Sequence, residues 1–230
     1  MKIGKILSEA FEKIPEVSLK NDLRYFLAFN RFIPNKIANM SPIKGYELYR
    51  ELKKGDIVVD AGSFPGDYAV YASRKVGREG KVICFEPNKK NRKILRKNLS
   101  KERYNNYLII PKGLWNKEKV LKIKDFDGLH TELSSEGAES IKVTSLDKEL
   151  KKLGIKKVDV IKMDIEGAEK NAVKGMKDTL KKCNPYVMIA SYHVVDGERT
   201  SKFLEEFFKK EGFNVKSDFE MHLTTYAWKN

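Results

Sequence analysis

From Lys54 onward, short apolar runs alternate with segments of helical periodicity, and this alternation narrows the fold more than any other feature of the chain. "GDIVVDAG", "KVICFEP", "YLIIPKG", "KVDVIKMD" and "YVMIASYH" read as strands. Between them, "GDYAVYASRKVG", "NKKNRKILRKNLSKE", "LDKELKKLG" and "AEKNAVKGMKDTLKK" read as helices. The middle strands are apolar almost without interruption, as expected for a parallel sheet covered by helices on both faces. "EKVLKI" and "IKVTSL" alternate instead, which predicts a hairpin-like insertion around the polar "DGLHTELSSEGAES". A helix over "RTSKFLEEFFKKEG" precedes two closing strands, "FNVKS" and "HLTTYAWK", expected as an antiparallel hairpin on the sheet edge. Upstream, "MKIGKILSEAFEKI" places Ile3, Ile6, Leu7, Ala10, Phe11 and Ile14 at helical spacing, and more helix is expected over 18–33. The expected organisation is a helical N-terminal extension over 1–50 and one α/β domain over 51–230.

With 230 residues, 41% hydrophobic and 34% charged, the chain can bury one sizeable core, and it is neither disordered nor fibrous in composition. No apolar run approaches the roughly 20 residues that span a bilayer. Cys84 and Cys183 stand far apart with no metal-ligand spacing around them, so a reducing cytoplasm is the expected location. The excess of 46 basic over 32 acidic residues, +14 at pH 7, has two readings. A field of that sign attracts polyanions such as RNA, nucleotide-linked precursors or anionic headgroups. An ion-pair-rich surface accounts for many of the charges but not for their sign.

In "VVDAGSFPGDYAVYASRKVG", residues 58–77, a strand runs through a glycine-rich bend into a helix. Gly62 and Gly66 allow a tight turn and close approach of the main chain to a ligand. Glu86 closes the next strand 20 positions after Gly66 and could accept both hydroxyls of a ribose. A dinucleotide fingerprint wants three glycines, whereas "GSFPG" supplies two, and a pyrophosphate is disfavoured beside Asp60. A sulfonium bearing an amino group is favoured there. The bend therefore predicts an S-adenosylmethionine pocket, with Asp60 facing the cationic methionyl end.

These residues resemble the FkbM-type family of S-adenosylmethionine-dependent methyltransferases over about residues 54–193. "VVDAGSFPGDYAVYA" and "GKVICFEPN" are similar to its first two motifs, "VTSLD" with "VDVIKMDIEGAE" to its most specific stretch, and "PYVMIASYH" to its fifth strand. The resemblance implies a Rossmann-like class I methyltransferase fold, a seven-stranded, mostly parallel sheet with the last strand reversed. It also implies methyl transfer to a hydroxyl oxygen, in that family usually on sugars, polyketides or other small metabolites. The chain departs from the pattern at Phe64 and Pro65, where the family has Asn and an aliphatic, and at Ser191, where it has Glu.

The expected cofactor set is Asp60, Gly62, Ser63, Gly66, Glu86, Pro87 and Gly113. Methyl transfer to oxygen needs alignment and removal of a proton, so candidate bases are sought at the strand ends. Asp164 closes the fourth strand, Glu166 follows at a turn, and His193 ends the fifth, where it could take a proton near neutral pH. Glu169 reads as a first-turn acid complementing the helix dipole, and Lys162 is open between pairing and substrate contact. Asp164, Glu166 and His193 could together hold a divalent metal, but their spacing does not require one and no metal is assigned. His130 reads as an insertion residue, and His222 receives no role. "NPY" at 184–186 precedes the fifth strand, whereas the motif of nucleic-acid amino-methyltransferases follows the fourth. The basic helix from Lys89, with Ile94, Leu95 and Leu99 inward, reads as a solvated face or an RNA-binding surface. The expected activity is O-methylation of a glycan precursor or other small metabolite, which could be anionic. An RNA methyltransferase and a non-catalytic binding module are the alternatives.

Overall fold

The computed structural model describes residues 42–126, 130–133, 139–218 and 222–229. In chain order, strands β1 (Ile57–Ala61), β2 (Lys81–Phe85) and β3 (Tyr107–Ile110) are followed by four more, β4 (Gly113–Leu114), β5 (Lys119–Phe126), β6 (His130–Leu133) and β7 (Glu139–Thr144). Then come β8 (Val160–Met163), β9 (Tyr186–Ala190), the two-residue pieces β10 (Val194–Val195) and β11 (Glu198–Arg199), β12 (Asn214–Asp218) and β13 (Thr224–Trp228). The helices are α1 (Pro42–Tyr46), α2 (Asp67–Val76), α3 (Lys89–Leu99), α4 (Leu146–Lys152), α5 (Glu169–Ala172), α6 (Lys177–Cys183) and α7 (Thr200–Lys210).

Seven strands form one sheet in the order β12-β13-β9-β8-β1-β2-β3. The inner pairs are parallel, while β13 runs antiparallel to both β9 and β12. The closing hairpin thus places its last strand inside the sheet and leaves β12 at the edge. A second sheet, β4-β7-β5-β6, is the expected insertion, with a parallel β4 added to it.

Side chains alternate across the strands and build a core on each face. Val59, Ile83, Ile161 and Ile189 pack on one side with Leu146, Leu180, Leu204 and Phe208. Val58, Val82, Val160 and Met188 pack on the other with Tyr68, Tyr71, Leu95 and Leu99. Ile43 and Tyr46 join this second core, so residues at the end of the segment read as an N-terminal extension belong to the domain's interior. The helices expected over 3–14 and 18–33 lie outside the described residues.

Two local expectations are corrected. The single helix expected over 168–182 is α5, a 3-10 turn (Val173–Gly175) and α6. The break falls at Gly175, where an added Cβ would stand 2.2 Å from the Trp115 carbonyl oxygen, so the chain there packs tightly against the loop after β4. Ile94 is 39% exposed, because Leu95 and Leu99, one turn apart, define the buried stripe of α3 and Ile94 falls beside it.

Candidate active site

The parallel pairing of β1 with β8 sets Asp60 opposite Lys162, and the alternation that buries Val58 sends both toward the tyrosine-rich core. Asp60 is fully buried. Lys162 Nζ lies 3.1 Å from Asp60 Oδ1, donates to the Gly62 carbonyl at 3.0 Å, and sits 5.5 and 5.9 Å from the ring centres of Tyr46 and Tyr68. Burial works to strip the ammonium of its proton, but the charges of Asp60, Asp164 and Asp67 outweigh it and hold the Lys162 pKa above the ordinary value. Asp60, expected to face a cationic ligand, is not among the residues that line the cleft described below, and the cation beside it is Lys162. Through Lys162 it ties the start of the bend to β8.

In the bend, Gly62 has φ +73°, and a Cβ built on it would stand 1.7 Å from the Asp164 carbonyl oxygen. No other residue fits. Ser63 Oγ donates to the Asp60 carbonyl at 2.7 Å, and Gly66, with φ 108°, caps the start of α2. Ser63 and Gly66 shape the bend, whereas Gly62, Glu86, Pro87 and Gly113 line a cleft of about 770 Å³, its open mouth included. Asp164 and Glu166 line the same cleft. Its apolar wall, Trp115, Leu121, Ile141 and Val143, comes from the second sheet and its approach, a contribution sequence reading missed because the insertion looked like surface.

Glu86 directly follows β2, with one carboxylate oxygen accepting from the Asn88 N–H at 2.9 Å. Burial pushes its pKa up to about 7, against the opposing pull of the Asn88 and Phe64 N–H groups and the Arg92 charge. The ionised form is the one that can accept two ribose hydroxyls. Affinity for S-adenosylhomocysteine is accordingly expected to rise about tenfold between about pH 6 and about pH 8, following ionisation of Glu86. Glu86→Gln should weaken binding and flatten that profile, as read by isothermal titration at each pH.

The charged cluster lies where β8 and β9 end. The Asp164 N–H donates to the Ala61 carbonyl at 3.0 Å, extending the β1–β8 ladder by one residue. Glu166 then takes a left-handed conformation, φ 53°, which is uncommon for a residue with a long side chain. His193 Nε2 stands 3.2 Å from Glu166 Oε2 and 3.7 Å from Asp164 Oδ1, and its Nδ1 stands 3.2 Å from Glu169 Oε1. Glu169 is more than a helix-dipole acid: fully buried, it also accepts from the N–H groups of Ile165 and Gly167 and so shapes the 164–169 turn. His222, given no role from sequence, brings Nε2 within 3.5 Å of Asp164 Oδ2, and the Tyr46 hydroxyl donates to that oxygen at 3.3 Å. Nothing local in the sequence marks either residue. The His130 side chain lies outside the described residues. Ser191 is buried, with Oγ donating to the Leu223 carbonyl at 3.2 Å, and so continues the pairing of β9 with β13 instead of joining the cluster.

Burial alone would raise the Asp164 carboxyl, but the His222 ring and the charges of Lys162 and His193 hold it at about 2, so it is ionised. Burial alone would lower His193, yet the carboxylates at its two nitrogens, Glu166 and Glu169, lift it to about 10. With no cation among them, the acids that surround the ring favour its protonated form over the neutral imidazole expected to take a proton near neutral pH.

The residues fit S-adenosylmethionine. Gly62 puts main chain without a side chain on the cleft wall, and Glu86 offers a buried carboxylate with lone pairs to spare there. Asp164 supplies fixed negative charge on the same wall. No helix among the described residues is long and apolar enough to cross a membrane.

Comparison with known proteins agrees with this geometry. Residues 60–215 match the methyltransferase FkbM domain model. The chain is 29% identical to hexuronic acid methyltransferase AglP of Haloferax volcanii over 69% of its own length and 65% of that protein's. It is 28% identical to the tRNA (adenine(57)-N(1)/adenine(58)-N(1))-methyltransferase TrmI of Methanocaldococcus jannaschii, over 70% of its own length and 52% of that protein's. The chain thus spans about half to two thirds of these relatives. Its fold matches that of Aeropyrum pernix fibrillarin, crystallised with natively bound S-adenosyl-L-methionine, at TM-score 0.53 and 14% identity, over 80% of this chain and 72% of that one. The strand order with its reversed last strand, the cleft at the strand ends and the matched model together show that the chain belongs to the FkbM family of S-adenosylmethionine-dependent methyltransferases.

Proposed function

We propose that the protein transfers a methyl group to a hydroxyl oxygen of a sugar or another small, anionic metabolite. One observation carries this reading: the carboxylates of Asp164 and Glu166, with His193 against them, stand on the wall of the cleft that Gly62, Glu86 and Gly113 also line. S-adenosylmethionine, when bound, supplies an electrophilic methyl on a sulfonium. Glu86 would hold the ribose hydroxyls and the Gly62 main chain would lie against the ligand. Asp164 would provide negative charge toward the cationic end, the task first expected of Asp60. Glu166, on the cleft wall beside His193, would accept the proton that the acceptor loses. The rim is basic. Helix α3 begins just past Glu86 and Pro87 with Lys89, Lys90 and Lys93 exposed, and the Arg92 guanidinium donates to the Glu86 carbonyl at 3.0 Å. An acceptor carrying carboxylate or phosphate suits such a rim, in keeping with the likeness to an enzyme named for hexuronic acid.

RNA methylation is the second reading, supported by the net charge of +14 and the likeness to a tRNA methyltransferase. Against it, "NPY" cannot act as a base-holding motif: Asn184 and Pro185 precede β9, at the opposite end of the sheet from the cleft. The test is transfer of labelled methyl from the cofactor to two separate pools, uronic-acid-bearing glycans or nucleotide sugars, and tRNA. Label is expected in the sugar pool, resistant to nuclease. Label confined to nuclease-sensitive tRNA would overturn the proposal.

A further inference from the structure

We infer that Asp164, Glu166 and His193 form a site for a divalent cation at the floor of the acceptor cleft, with Glu169 and His222 as positioning residues. The three offer one donor atom each, all within 4.8 Å of one another. Donors adjacent on a cation with bonds of about 2.1 Å lie about 3.0 Å apart in octahedral geometry and about 3.4 Å apart in tetrahedral geometry. The His193 Nε2 separations from Glu166 and Asp164, 3.2 and 3.7 Å, need only a small contraction to meet those values.

A second observation points the same way. Both ring nitrogens of His193 and Asp164 Oδ1 are buried and make no aligned hydrogen bond, although carboxylate oxygens of Asp164, Glu166 and Glu169 stand 3.7, 3.2 and 3.2 Å from the ring nitrogens. A ring already satisfied by its acids would aim an N–H at one of them. Here the donor atoms instead lie within 4.8 Å of one another beside the cleft that Asp164 and Glu166 line.

The surroundings supply what a metal ligand needs behind it. A ligating imidazole is held by a carboxylate at its other nitrogen, and Glu169 stands 3.2 Å from His193 Nδ1 while itself fixed by two main-chain N–H groups. Asp164 presents Oδ1 to the site, and its other oxygen is held by Tyr46 and lies beside His222. Lys162, whose charge reaches Asp164, is paired with Asp60. The left-handed turn at Glu166 brings its carboxylate back toward the strand end, a conformation that costs about 1–3 kcal/mol and that the ligand role explains. Two carboxylates and one imidazole suit Mn²⁺ or Mg²⁺ and leave coordination positions for oxygen atoms of the acceptor. A cation there would hold a hydroxyl, with a neighbouring hydroxyl or carboxylate, beside the transferable methyl and ease the loss of its proton. That role rests on the hydroxyl-acceptor reading above.

The test uses the full chain and Mn²⁺ as probe, followed by electron paramagnetic resonance and equilibrium dialysis, with S-adenosylhomocysteine binding as the check on folding. One bound Mn²⁺ per chain is expected. Glu166→Gln and His193→Asn should each weaken Mn²⁺ by at least about 100-fold, and Glu169→Gln by about 10–100-fold. Glu198→Gln, a surface acid paired with Lys202, should leave Mn²⁺ binding unchanged. Methyl transfer should fall on chelation and return with Mg²⁺ or Mn²⁺. Full transfer to a hydroxyl acceptor with no Mn²⁺ bound would overturn the site and leave the function standing. Mn²⁺ bound at the cluster with methyl delivered only to RNA would keep the site and overturn its role toward a hydroxyl. Mn²⁺ binding that survives both Glu166→Gln and His193→Asn would also overturn it.

Discussion

Gly62→Ala is expected to abolish cofactor binding and to destabilise the fold by about 3–5 kcal/mol. The added methyl would lie 1.7 Å from the Asp164 carbonyl oxygen and 2.8 Å from its carbon. Both belong to main chain that cannot swing aside, because the Asp164 N–H is bonded to the Ala61 carbonyl. The left-handed φ adds a strain that alanine does not share with glycine. Relief requires β8 to separate from the bend, and that movement opens the floor of the cleft beneath the cofactor. Affinity for S-adenosylhomocysteine should drop by at least about 100-fold, or roughly 2.7 kcal/mol. Isothermal titration and urea unfolding read the two effects separately.

Lys162→Met should be as damaging for a different reason. It leaves Asp60 as a fully buried charge with the counter-ion beside it gone, a change that costs about 3–5 kcal/mol. It also removes the donor that reaches the Gly62 carbonyl, so the cofactor should bind more weakly as well. Replacing both partners, Asp60→Asn with Lys162→Met, removes the stranded charge, and the double variant should recover most of the lost stability. A double-mutant cycle by urea unfolding measures the coupling. Additive losses would mean that Asp60 and Lys162 act independently and that Asp60 has another partner.

What could be read from the sequence is what local periodicity encodes. The order of strands and helices from Ile57 to Trp228 follows from branched apolar runs and amphipathic segments, and the exceptions have local causes, at Gly175 and at Ile94. Gly62, Glu86, Asp164 and Glu166 were recognisable because a bend at a strand end restricts residue type, and all four reach the cleft. Other features depend on sheet register or on packing between distant segments, which no short motif records. Asp60 was picked out as unusual, but only the β1–β8 register shows that Lys162 lies opposite it. Glu169 looked like a helix-start acid until β9 placed His193 against it. Tyr46 and His222 join Asp164 from opposite ends of the domain. The apolar wall came from an insertion whose alternating pattern suggested exposure.

The central claim is that the cleft between the β1 bend and the end of β2 holds S-adenosylmethionine through Glu86. Isothermal titration of the native chain and of Glu86→Ala with S-adenosylhomocysteine, and with NAD in parallel, addresses it most directly. Binding of one S-adenosylhomocysteine per chain, no heat from NAD, and loss of the signal in Glu86→Ala are the expected results. Undiminished binding in the folded Glu86→Ala protein, or a preference for NAD, would contradict the account.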